Sequence, residues 1–100
     1  MEVSEIKKIA VLGGGGIIGS SWSTYFLWKG FPVAVYDIND QALTLSRERI
    51  VGNLSYLVEK RILTEKKMSE ALECALFTKD IREAVEEVQF VQESVPELMQ

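Results

Sequence analysis

The sequence predicts an α/β domain in which a parallel sheet is wound on both faces. It is cut short after about four strands and carries a pair of helices after the second strand. Three observations predict it. Short apolar runs alternate with stretches of helical periodicity along the 100 residues. A glycine-rich turn joins the first such run to the first helix. An acidic residue closes the second run. Alternating strands and helices imply parallel pairing through right-handed crossovers.

Each element has its own signal. Lys7 to Leu12 (KKIAVL) is a short apolar run closed by glycine, as a buried strand requires. From Ile17 to Lys29, the residues Ile18, Trp22, Tyr25 and Phe26 recur at helical spacing, which predicts an apolar face packed inward. On that stripe Trp22 is expected in the core, whereas Trp28 lies off it and is a candidate to cover an interface. Gly30 is a helix stop, and Phe31-Pro32 turns the chain. Val33 to Asp37 (VAVYD) is a second buried strand.

Asn39 or Asp40 can cap a long helix reaching about Ile62, with Leu43, Ile50, Leu54, Leu57 and Val58 on its buried stripe. Thr64 can cap another, in which Met68, Ala71, Leu72, Ala75 and Leu76 recur at helical spacing. A third strand is expected around Leu76 to Thr78. Asp80 with Glu83 forms the pattern of a capping box. Val88 to Val95, stopped by Pro96, is the fourth strand.

Composition narrows the function classes. Eleven basic and fifteen acidic residues give a net charge of −4, which disfavours nucleic acid and anionic membranes as partners. No apolar run has the length of a membrane span, and the acidic start Met1-Glu2-Val3-Ser4-Glu5 lacks a signal segment. One cysteine, Cys74, fits a reducing compartment such as the cytoplasm, and nothing basic adjoins it to activate its thiol. The absence of histidine removes the commonest general base and metal ligand. Glu83, Glu86 and Glu87 form a solvated helix face, so no metal site is expected.

The glycines point to chemistry. A dinucleotide turn needs G-x-G-x-x-G between a strand and a helix. Only Gly14, Gly16 and Gly19 satisfy it, since starting at Gly13 would demand glycine at Ile18. Gly14 would make the tight turn. Gly16 would admit a pyrophosphate to the helix N-terminus, and Gly19 would permit close helix–strand packing. Gly13 and Gly15 are then spare, and an apolar side chain would suit Gly13 better at the strand end. Asp37 follows Gly19 by eighteen positions and can accept both ribose hydroxyls of an adenosine, which favours NAD over NADP. FAD- and S-adenosylmethionine-binding domains share this turn and acid, so both stay open on the residues alone.

Taken together, AVLGGGGIIGSSW (10–22), VAVYDIND (33–40), LVEKRILTEKK (57–67) and VQFVQESVPE (88–97) resemble the NAD-binding domain of the 3-hydroxyacyl-CoA dehydrogenase family. GIIGSSW and VQESVPE are most similar to its lambda-crystallin/L-gulonate 3-dehydrogenase branch. The resemblance implies the Rossmann plan, NAD as cofactor, and oxidation of a 3-hydroxy group to a ketone, as in fatty acid metabolism. It implies cofactor contacts from Gly14, Gly15, Gly16, Ile17, Ile18, Gly19 and Asp37, with Ser94 and Glu97 beside the nicotinamide. Lys60 on the helical pair would meet a CoA phosphate, although a solvated helix face is the simpler reading of that residue.

The resemblance further implies that residues 1–100 are an N-terminal domain. The family's Ser, His–Glu pair and Asn, and its dimerising helical domain, come later, so no residue here is assigned to catalysis. The fragment alone is expected to be inactive, and the whole protein a homo-oligomer acting on a hydroxyacyl-CoA or on a free hydroxy acid such as L-gulonate. A stand-alone NAD-binding sensor or assembly module is the alternative.

Overall fold

The computed structural model describes residues 6–13 and 16–93. Their order is β1 (Ile9–Leu12), α1 (Ile17–Trp28), β2 (Val33–Tyr36), α2 (Asp40–Glu59), α3 (Glu65–Glu73), β3 (Ala75–Thr78), α4 (Ile81–Val85) and β4 (Phe90–Glu93). The strands form one parallel sheet in the order β3-β2-β1-β4. Ile9 pairs with Val33 on one side and Phe90 on the other, so β1 lies between β2 and β4.

The chain steps from β1 to β2 to β3 in one direction and then crosses back to β4. Because parallel crossovers are right-handed, that reversal sends α4 to the face opposite α1, α2 and α3. The winding is the predicted Rossmann plan, with its switch point between β1 and β4.

Burial explains why β1 and β2 are uniformly apolar. Ile9, Ala10, Val11, Val33, Ala34 and Val35 are almost wholly buried, with helices on both sides. Leu27, Ile50 and Leu54 complete the centre of the core. The register of β4 is set by a side chain: Gln89 Oε1 accepts the backbone N–H groups of Lys7 (2.7 Å) and Lys8 (2.9 Å).

The helix termini follow their capping residues. Gly30, at φ +94°, ends α1 in a Schellman turn: its N–H donates to Leu27 O, and Phe31 N–H donates to Phe26 O, both at 3.0 Å. The same motif ends α2 at Glu59 and not near Ile62, with Arg61 N–H donating to Val58 O and Ile62 N–H to Leu57 O. Arg61 holds the left-handed position, φ +61°, where glycine is the usual occupant. α3 stops at Glu73, so Ala75 and Leu76 belong to β3 and not to the helical stripe; exposed Cys74 marks the junction. Asp80 Oδ1 caps α4, but Asp80 N–H goes to Thr78 Oγ1, so the reciprocal half of a capping box is replaced by a threonine contact. β4 runs from Phe90 to Glu93; the predicted Ser94 and Val95 lie outside the described residues.

The largest correction concerns α1. Its buried residues are Gly19, Ser20, Ser23, Thr24, Phe26 and Leu27, whereas Ile17, Ile18, Trp22 and Tyr25 are 70%, 66%, 39% and 45% exposed. Of the expected stripe Phe26 is buried, whereas Ile18, Trp22 and Tyr25 face outward. Small residues win the inner face because they let the helix approach its neighbours closely, as α1 does with α2. Their hydroxyls cost little there: Ser23 Oγ donates to Gly19 O (2.9 Å) and Thr24 Oγ1 to Ser20 O (2.8 Å). Asn53 Nδ2 of α2 then donates to Thr24 Oγ1 at 3.1 Å, tying the two helices. Trp22 is therefore half-exposed, stacked on Phe26 with ring centroids 5.5 Å apart, and is not a core residue. Trp28 is the more buried of the two tryptophans and packs against the core.

Candidate functional site

Parallel strands end together, so the turns after β1 and β2 share one edge of the sheet. Leu12 pairs with Tyr36, and Gly13 N–H donates to Tyr36 O at 3.0 Å. The glycine turn and Asp37 are thereby held side by side. Gly14 and Gly15 lie outside the described residues, as do Ser94 and Glu97.

Gly16 is the N-cap of α1 and offers no side chain to its first turn. The first intrahelical bond, Ser20 N–H to Gly16 O at 3.0 Å, leaves the N–H groups of Ile17, Ile18 and Gly19 directed out of the helix end. No acidic residue stands in that turn to neutralise the positive end of the helix dipole. By contrast, Asn39, Thr64 and Asp80 cap α2, α3 and α4 with side-chain oxygens.

Among the described residues a Cβ added at Gly16 would meet only Gly13 O, at 3.9 Å, so they leave this position open. Its φ of −83° suits any residue. Nothing among the described residues requires glycine at Gly16. Gly19 is buried in α1, in accord with a packing role.

Gly13 is not spare. Its φ is +80°, a conformation that L side chains enter only under strain, and its carbonyl accepts Gly16 N–H at 3.5 Å. The chain leaves β1 through Gly13, so the turn begins one residue earlier than the glycine register indicates.

Asp37 is half-buried directly after β2. Its N–H donates to Thr78 O (3.3 Å), and its Oδ1 accepts Ile38 N–H (2.7 Å). The carboxylate is thus oriented by its own backbone at the site's edge. Ile38, which the residue pattern did not single out, projects from the same loop. An apolar residue placed between an acid and a helix cap was the available signal.

Lys60 is far from this cluster. It is the C-cap of α2, whose 20 residues carry the chain about 30 Å from Asp37. Its Nζ lies over the Tyr56 ring, 5.4 Å from the centroid. Along the outer face of α1, Ile17, Ile18, Ser21, Trp22 and Tyr25 line an open apolar cavity of about 530 Å³ that starts beside the glycine turn. Among the described residues, no group of three or more His, Cys, Asp or Glu side chains gathers as metal ligands would. No helix there is long and apolar enough to cross a membrane.

Comparison with known proteins agrees with this geometry. Residues 8–100 match the family model of the 3-hydroxyacyl-CoA dehydrogenase NAD-binding domain. The chain is 35% identical to the human lambda-crystallin homolog, over 94% of its own length and 30% of that protein's. It is also 35% identical to an L-carnitine dehydrogenase/betainyl-CoA thioesterase of Rhizobium meliloti, over 95% of its length and 18% of the relative's. In structure it superimposes on M. tuberculosis FadB2 with a TM-score of 0.86 at 30% identity, covering 92% of this chain and 32% of FadB2. The chain thus spans less than a third of each of these relatives. The matched range spans the turn after β1, Asp37 and the α2–α3 pair, and the chain belongs to the 3-hydroxyacyl-CoA dehydrogenase family, as its NAD-binding domain.

Proposed function

We propose that this chain is the cofactor-holding part of an NAD-dependent dehydrogenase that oxidises a 3-hydroxy group to a ketone. The observation that carries the proposal is the pairing, on one sheet edge, of an uncapped helix N-terminus behind an open Gly16 with the carboxylate of Asp37. NAD, when bound, accepts the hydride that leaves the substrate's hydroxyl-bearing carbon. The chain's own residues bind and orient it. The N–H groups of Ile17, Ile18 and Gly19 take the pyrophosphate oxygens. Asp37 accepts the adenosine ribose hydroxyls and repels a 2′-phosphate. Gly14 and Gly15 shape the turn, and Ser94 and Glu97 stand at the nicotinamide end.

The base that removes the hydroxyl proton is proposed to lie in a later catalytic and dimerising domain, since these 100 residues include no histidine. The outward apolar face of α1 and the open edge of β4 support that reading, because both are surfaces that further polypeptide would cover. On this reading the whole protein is a cytoplasmic homo-oligomer. Its substrate is a hydroxyacyl-CoA or a free hydroxy acid, and Lys60 would meet a phosphate only in the CoA case.

The test is a titration of the full chain with NADH and NADPH. NADH should bind at least tenfold more tightly, and Asp37→Ala should remove that preference. No NADH binding up to millimolar concentrations, or equal affinity for the two dinucleotides, would overturn the assignment. A chain that binds NADH well but gains no oxidation of hydroxyacyl-CoA when its gene's downstream residues are appended would favour a non-catalytic NAD-binding module.

A further inference from the structure

We propose that a cavity of about 440 Å³ between the end of α1 and α3 is a second ligand site, which takes a small monocarboxylate with a hydrocarbon tail. It lies away from the dinucleotide edge, because the 12 residues of α1 put its far end about 18 Å from Gly16. The floor is apolar, made by Leu27, Trp28, Leu63 and Ala71. Leu27 and Ala71 are buried, and Trp28 and Leu63 are half-buried. Backbone bonds fix the walls. Gly30 N–H donates to Leu27 O at 3.0 Å in the turn after α1, and Leu63 N–H donates to Leu57 O at 3.2 Å. Cys74 donates its N–H to Ala71 O and accepts Val33 N–H at its carbonyl, both at 3.0 Å. A ligand therefore meets a preformed hollow of the size that small molecules occupy.

Charge decides the ligand's other end. The chain carries a net charge of −4, yet two lysines, Lys29 and Lys67, line this cavity against one carboxylate, Glu70. Lys29 Nζ lies over the Trp28 ring, 4.3 Å from the centroid, and pairs with no carboxylate among the described residues. The helix dipole accounts for a cation at the C-cap of α1, but it disfavours one at Lys67, in the first turn of α3. Glu70 reaches Lys67 only at 3.8 Å, and both side chains are at least half exposed, so this ion pair is too solvated to hold the ammonium in place. A single carboxylate at the rim is attractive to both lysines, whereas a more highly charged head would be repelled by Glu70. The hydrocarbon tail covers the apolar floor and removes it from water.

The experiment titrates the full chain with octanoate, acetate and 1-octanol and reads two residues that line the cavity. Trp28 is the sole tryptophan once Trp22→Phe is made, and Cys74, exposed and the only cysteine, is alkylated with iodoacetamide. Octanoate should shift Trp28 emission saturably and, at about ten times its Kd, slow the alkylation about tenfold. Acetate and 1-octanol should do neither at the same concentration. Lys29→Met and Lys67→Met together keep the aliphatic stems and should weaken octanoate about tenfold, with melting temperature and NADH affinity unchanged. If millimolar octanoate neither shifts Trp28 emission nor protects Cys74, the proposal is overturned while the dinucleotide site stands. It is also overturned if 1-octanol protects Cys74 as well as octanoate does, or if the double variant binds octanoate as tightly as the wild type, because the cavity is then apolar only. Octanoate that competes with NADH would be bound at the opposite edge of the sheet, which overturns the proposal as well.

Discussion

Replacing Gly13 with valine separates the two ways of reading the glycine run. By the G-x-G-x-x-G register Gly13 is spare, and a strand-end valine would add packing. In the fold its φ is +80°, and forcing an L side chain into that region costs about 1–2 kcal/mol, with a β-branched residue at the upper end. Valine also narrows the unfolded chain, which returns about 0.4–1 kcal/mol. The net loss is about 1 kcal/mol, which for a domain of this size lowers the melting temperature by about 4–8 °C.

The chain can escape that strain only by turning Gly13 to negative φ. Doing so disturbs the bonds from Gly13 N–H to Tyr36 O and from Gly16 N–H to Gly13 O that hold the turn over the helix end. NADH affinity should therefore fall together with stability. Gly16→Val is the contrast. Its backbone suits any residue and its Cβ meets nothing among the described residues closer than 3.9 Å, so stability should stay within about 1 kcal/mol. NADH binding should be lost by at least two orders of magnitude. Thermal melts followed by circular dichroism, with NADH titrations on the same samples, read both quantities. A Gly13→Val protein that melts at or above the wild-type temperature and keeps its NADH affinity would refute the role given to Gly13.

Two further substitutions test the scaffold. Arg61→Gly should stabilise the chain by about 1 kcal/mol, because Arg61 holds φ +61° in the Schellman turn after α2; urea unfolding should show a higher midpoint with an unchanged slope. Ser46 is fully buried in α2, and its Oγ has no hydrogen-bond partner among the described residues, so Ser46→Ala should gain about 1 kcal/mol in the same assay.

Much of the fold was legible because its signals are local. IAVL and VAVY are short continuous apolar runs bounded by turn signals, the pattern of a strand buried on both faces. Asn39, Thr64 and Asp80 cap helices with their own side chains, so the starts of α2, α3 and α4 were readable one residue at a time. Helix ends were less so: α2 ends in a Schellman turn built on Arg61, a residue that carries no such signal. Spacing was enough to put Gly16 at the start of α1, Gly19 inside it and Asp37 directly after β2, whereas a single apolar residue in a loop, such as Ile38, has no period to mark it.

The sequence by itself determined the strand-helix alternation, the glycine turn and the acid at the end of β2, and with them a nucleotide-binding turn whose cofactor the family match names as NAD. These are properties of neighbouring residues, and their physics is settled within a few positions of the chain. The tertiary structure alone decided which face of α1 is buried, and of the expected stripe it kept only Phe26 inside. Helical periodicity says that Ile18, Trp22, Tyr25 and Phe26 share a side, but not which of them meets the core. Close packing favours small residues, so Gly19, Ser20 and Ser23 took the inside beside Phe26, and Ile18, Trp22 and Tyr25 were left outside. Structure likewise decided Gly13, because the sign of φ depends on where the chain must go after β1 and on the bond to Tyr36 O, neither of which is written in a run of glycines.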